Sequence, residues 1–135
     1  MQRKVLTEYG ECCASIKTEE EIATIRMGLV GAPWLPQTLR WIEAIKDPTR
    51  FQIVYLLYRY HQLCVCDLAN ILNISSSAIS QHFRKLKDME IVRTARVKQT
   101  IFYRLHNEAF VSFFVGILPE DTSEKEVLDE VFVRV

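Results

Sequence analysis

Val65-Cys66-Asp67-Leu68-Ala69-Asn70-Ile71-Leu72, then Asn73-Ile74-Ser75, then Ser76-Ser77-Ala78-Ile79-Ser80-Gln81-His82-Phe83-Arg84-Lys85-Leu86-Lys87 is the stretch that decides the fold. It reads as a short helix over about 65–72, a three-residue turn, and a second helix over about 76–89. Ile79, Phe83, Leu86 and Met89 recur at helical spacing and would form the buried stripe of the second helix. Ser76, Ser77, Ser80, Gln81 and Arg84 are left on its other side. Two short helices around a tight turn make a helix-turn-helix. Small hydroxyls allow close entry into a major groove. Gln and Arg carry the donor and acceptor pairs that match adenine and guanine edges.

Downstream, Ile91 to Val97 and Thr100 to Leu105 are strand-like runs around Lys98-Gln99, a hairpin tip. A hairpin after the second helix makes the module a winged helix-turn-helix, mainly α with a small β-hairpin wing. Lys85, Lys87, Arg96 and Lys98 suit phosphates, which position a protein on a duplex without reading its sequence. His82 reads as a half-buried packing residue.

The charge distribution agrees with that reading. Formal net charge over the 135 residues is zero. From Ser75 to Arg104, seven basic residues stand against two acidic ones, a surplus of five positive charges. From Leu105 to Val135, seven acidic residues stand against two basic ones, a surplus of five negative charges. The first segment suits a phosphate backbone and the tail does not.

Upstream, the residues before Lys17 are polar and without periodicity, an arm over 1–17 that carries the adjacent Cys12 and Cys13. Thr18 and Glu21 form a capping box ahead of a helix over about 19–29, with Ile22, Ile25 and Leu29 on one stripe. Gly28, Gly31, Pro33 and Pro36 interrupt the pattern, leaving residues 30–36 as a connector. A helix over about 36–45 carries Leu39, Ile42, Ala44 and Ile45, with Trp41 beside them. Asp47-Pro48 caps and starts a helix over about 48–58. Phe51, Ile53, Val54, Leu56 and Leu57 make that helix apolar on most sides, which places it centrally. Residues 58–63 read as a connection.

Downstream of the wing, a final helix over about 107–118 is apolar nearly all round. One of its faces needs a partner, so a homodimer is expected, and the helix near 19–29 joins that interface. Two-fold symmetry would place two reading helices about one DNA turn apart, on an imperfect inverted repeat. Residues 18–118 form the domain, and 119–135 an acidic tail with a weak helical pattern over 123–130. No apolar run is long enough to span a bilayer and the start lacks a signal-peptide core, so the expected location is cytoplasmic.

In a reducing compartment, four cysteines are better metal or redox candidates than disulfides. Cys64 and Cys66 lie at the start of the first short helix, where the helix dipole would lower a thiol pKa. Thiolates select soft ions, and a C-x-C pair can place two sulfurs on one of them. Cys12 and Cys13 could supply what remains for Cd(II), Pb(II), Zn(II) or As(III). Asp67 reads as a helix-start carboxylate and His61 as an exposed loop residue.

Three motifs together resemble the ArsR/SmtB family of metal-sensing repressors. They are Asp47-Pro48-Thr49-Arg50 before an apolar helix, Leu63-Cys64-Val65-Cys66-Asp67-Leu68, and Ser76 to Leu86 followed by a hairpin ending Phe102-Tyr103-Arg104-Leu105. The resemblance covers about residues 38–115. It implies a homodimeric winged-helix repressor that binds operator DNA when apo and releases it on binding metal. It also implies that Cys64 and Cys66 are metal ligands, completed by arm thiols such as Cys12 and Cys13. The arsenic sensors carry a third cysteine soon after the box, where this chain has Ala69 and Asn70. Cadmium and lead sensors usually have spaced arm cysteines, unlike Cys12-Cys13. The family's second metal site on the last helix is not matched, since His106 stands there without a partner set.

Two other functions use the same residues. A redox sensor would oxidise the thiols and ignore chelators. A structural zinc module for a protein partner would unfold without metal. No Ser/His/Asp set, glycine-rich phosphate loop or carboxylate pair suggests an enzyme, and no organic cofactor is implied.

Overall fold

A computed structural model describes residues 16–120 in full, together with the backbone of 5–7 and 10–12. The chain divides between Thr38 and Leu39 into two units. In the first unit, where the sequence reads as an arm, β1 (Val5–Thr7) and β2 (Gly10–Cys12) pair antiparallel, with Val5 opposite Cys12. Helix α1 (Glu19–Val30) begins at the expected capping box. The Thr18 hydroxyl accepts from the Glu21 N–H at 3.1 Å, and the Glu21 carboxylate accepts from the Thr18 N–H at 3.2 Å. None of its residues is buried, and Ile25, Met27, Leu29 and Val30 are exposed.

Helix α2 (Trp34–Ile45) starts two residues earlier than expected. Pro36 lies in its first turn, where the backbone N–H has no intrahelical acceptor and a proline costs nothing. The apolar side read from the sequence is split: Trp41, Ala44 and Ile45 are buried, while Leu39 and Ile42 are exposed.

In the second unit, α3 (Pro48–Tyr60) is central as expected, with Ile53, Val54 and Leu57 buried. Around it lie α4 (Val65–Leu72), α5 (Ser76–Asp88), α6 (Glu108–Ile117) and a small sheet. The α4–α5 turn is built locally. Asn73 takes the left-handed conformation (φ 55°, ψ 47°) that ends α4, and the Ser75 hydroxyl caps α5 by accepting from the Ala78 N–H at 3.1 Å. Helix α5 seats Ile79, Phe83 and Leu86 in the core, where Leu68, Ile91, Val92, Phe110 and Phe114 are also buried. Aromatic contacts link the far end, with the Trp41 ring edge-on to Phe110 at 5.7 Å and Phe51 tilted on Phe114 at 5.2 Å.

The sheet has a strand more than the hairpin predicted. β4 (Val92–Val97) and β5 (Thr100–Leu105) form the wing, closed by Lys98-Gln99 with Lys98 at φ 59°. β3 (Leu63–Cys64) adds to the other edge of β5, giving the order β3-β5-β4. Sequence periodicity missed it because two residues carry no alternation.

Candidate functional site

The candidate nucleic-acid surface follows from the seating of α5. With Ile79, Phe83 and Leu86 buried, Ser76, Ser77, Ser80, Gln81 and Arg84 are all exposed. Gln81 and Arg84 stand roughly opposite the buried stripe at 100° per residue. The four basic residues assigned to phosphates are exposed too: Lys85 and Lys87 in the last turn of α5, Arg96 on β4, and Lys98 at the wing tip. Arg96 is partly committed, since its Nε donates to the Lys98 carbonyl at 3.2 Å and braces the tip. Lys85 lies near α2, where it adds to the pull that Lys46 first exerts on the Glu43 carboxyl, holding it below its usual range. His82 is half-buried.

Several contacts fix this surface, of which the sequence showed the Asp47 cap and the buried Phe83 but not the partners of Arg50, Phe83 and Arg104. The Arg50 guanidinium donates from Nε to the Ala44 carbonyl at 2.6 Å and from Nη2 to the Glu43 carbonyl at 3.4 Å. It thereby satisfies two carbonyls at the end of α2 that the helix leaves without partners. Asp47 caps α3 by accepting from the Arg50 N–H at 3.0 Å. The Asp47-Pro48-Thr49-Arg50 motif is thus a joint that closes one helix and opens the next. The Phe83 ring stacks on Tyr103 of β5 with centroids 3.7 Å apart and planes 12° from parallel, which ties the reading helix to the wing. Arg104 of β5 donates from Nη2 to the Gln62 side-chain oxygen at 3.1 Å. Tyr103 and Leu105, two apart on β5, pack on the core while Ile101 is exposed, so no clean alternation in the sequence signalled an inward-facing Tyr103.

The thiol pair sits where β3 becomes α4. Cys64 is the last residue of β3 and the N-cap of α4, and Cys66 lies in the first turn. Cys64 is half-buried and Cys66 exposed. The dipole expectation fails for Cys64. Burial pushes its thiol up, and the Asp67 carboxylate, accepting from the thiol and repelling a thiolate, adds to the rise. The N–H groups of Asp67 and Cys66 pull the other way and do not prevail. Asp67, read as a helix-start carboxylate, is therefore also an electrostatic neighbour of Cys64.

Soft, paired sulfurs one residue apart fit a thiophilic ion. They stand as a pair: among the described residues, no group of three His, Cys, Asp or Glu side chains converges. The Cys12 side chain and all of Cys13 lie outside the described residues, as does the acidic tail beyond Glu120.

Exposed polar helix, wing and capped turn together define a winged helix-turn-helix of the kind found in transcriptional regulators. Residues 47–94 match the family described as bacterial regulatory protein, arsR family. This segment is an ArsR-family helix-turn-helix domain. A cadmium resistance transcriptional regulatory protein CadC homolog of Staphylococcus aureus is 38% identical over 66 residues. That match takes in 49% of this chain and 54% of the relative, so the chain spans about half of that protein. A transcriptional repressor SmtB homolog of Synechocystis is 27% identical over 70% of this chain and 71% of its own. Among solved structures, HlyU from Vibrio cholerae superposes with a TM-score of 0.59 at 27% identity, over 64% of this chain and 92% of that one. No described helix is long and apolar enough to cross a membrane.

Proposed function

We propose that this chain is a cytoplasmic transcriptional repressor that holds operator DNA when metal-free and lets go when a thiophilic ion binds at Cys64 and Cys66. The observation that carries it is the continuity of the two sites. The thiol pair opens the first helix of the helix-turn-helix, and its strand is part of the wing sheet. The arsR-family match over residues 47–94 takes in both the thiol pair and the two helices of the turn, and relatives of the chain are named for cadmium resistance and for repression.

In this reading Ser76, Ser77, Ser80, Gln81 and Arg84 meet base edges, while Lys85, Lys87, Arg96 and Lys98 meet phosphates. Cys12 and Cys13 complete the metal site. Three sulfurs suit Pb(II) or As(III), and four suit Cd(II) or Zn(II). The protein acts as a homodimer on an imperfect inverted repeat. Coupling between the two ligands is reciprocal: DNA weakens metal binding by the factor by which metal weakens DNA binding, about 5- to 150-fold in typical cases.

Fluorescence anisotropy tests this on a duplex selected by the apo protein from a random-sequence pool, with Cd(II), Pb(II), Zn(II) and As(III) added separately. At least one ion should raise the DNA Kd about tenfold or more, and Cys64→Ser should abolish that response while keeping apo binding. A response undiminished in Cys64→Ser, or none in the parent, defeats the sensor reading.

A further inference from the structure

We infer that Tyr103 is the positioning residue that carries the state of the thiol pair to the reading helix within one protomer. The inference rests on the sensor reading above and adds a route to it. Cys64 is paired across the sheet with Phe102, and Leu63 with Tyr103. The ring of Tyr103 lies flat on Phe83, three residues beyond Ser80 and one before Arg84. A shift of β3 therefore acts on β5 through the backbone ladder, and β5 acts on α5 through a stacked ring pair.

Two features make this route stiff. The Arg104–Gln62 hydrogen bond ties the same strand to the residue before β3. Phe83 is 1% exposed and wedged among core side chains, so it passes on displacement rather than absorbing it. At its far end β5 pairs with β4 along the whole wing, so the same strand also sets the position of Lys98. One strand thus contacts the thiol segment, the reading helix and the phosphate-facing tip.

Tyr103→Leu keeps an apolar side chain of similar bulk and removes the stack; Tyr103→Phe keeps the stack and removes only the hydroxyl. DNA Kd is measured by anisotropy with and without Cd(II), and Cd(II) binding by thiolate-to-metal absorbance. For Tyr103→Leu, the expected result is unchanged Cd(II) affinity, apo DNA affinity within about threefold of the parent, and a Cd(II)-induced change in DNA Kd reduced at least fivefold. Tyr103→Phe should respond as the parent does. A responsive parent with an equally responsive Tyr103→Leu overturns the inference and leaves the sensor reading standing. A parent that answers another of the four ions instead of Cd(II) is tested with that ion, and a parent whose DNA binding ignores Cd(II), Pb(II), Zn(II) and As(III) alike overturns both. Should Tyr103→Leu lose its fold by circular dichroism, amide hydrogen exchange of the parent decides. Cd(II) must then alter protection at Phe102 and Tyr103, and unchanged protection there overturns the inference.

Discussion

Asp47 shows how much one short side chain contributes at a joint. It caps α3 through the Arg50 N–H, and that bond first of all holds its carboxyl below the usual aspartate value. A carboxylate whose folded pKa is depressed stabilises the fold fully above its unfolded pKa of about 3.9 and loses that contribution as pH falls through the folded value. Asp47→Ala should cost about 1 kcal/mol at pH 7 in urea denaturation. The gap between parent and variant should close as pH drops below about 4. A gap independent of pH would mean that the cap acts through something other than its charge. Cys64 illustrates the opposite balance at a helix start. The dipole favours a thiolate, but burial and the Asp67 carboxylate outweigh it, because water is what a half-buried anion misses most.

At the scale of elements, the proposed function gives α5 and the wing different DNA contacts by their position. Arg84 is exposed on the face away from the core, whereas Lys98 stands at the tip of a two-residue turn. Arg84→Ala should cost about 1–3 kcal/mol on the selected duplex and less on unrelated DNA, because it removes base readout. Lys98→Ala should weaken all duplexes alike and lower the slope of log Kd against log salt by about 1. Equal losses of Arg84→Ala on specific and unrelated DNA would move that residue to the backbone-contacting group. The helices, the turn and the wing were legible because each has its own local signal: Asn73 and Ser75 for the turn, the Ile79–Phe83–Leu86 spacing for the seat, and two strand-like runs around Lys98-Gln99 for the wing. What escaped was non-local. A two-residue β3 has no period, the Phe83–Tyr103 stack joins residues twenty apart, and the carbonyl partners of Arg50 lie back in α2. Of the candidate metal ligands, the thiol pair was legible. Cys64 and Cys66 announce themselves by spacing, and among the described residues no third ligating side chain joins them.

At the scale of the molecule, the second unit keeps a well-filled core and an outer apolar stripe. Leu39 and Ile42, three residues apart on α2, are 55% and 45% exposed, and Val115 and Ile117 of α6 are exposed as well. Such a stripe suits a second copy of the chain. The parent should sediment as a dimer at micromolar concentration. The double variant Leu39→Glu/Ile42→Glu should sediment as a monomer with unchanged helical circular dichroism and much weaker DNA binding. A monomeric parent would remove the inverted-repeat expectation with it. One further property of the whole chain follows from the joint ahead of the cysteines. His61 (φ 67°, ψ −47°) stands at the centre of a γ-turn in which the Gln62 N–H donates to the Tyr60 carbonyl at 2.7 Å. This is the tightest reversal a backbone can make, and the two-residue strand after it buries Leu63 while leaving Cys64 half in solvent. Surface joints ordinarily tolerate added residues. Here a single insertion would slip the strand by one, carrying the sulfur into the core and the leucine out to water. The length of this short joint, and not only the identity of its residues, is therefore part of what the chain encodes.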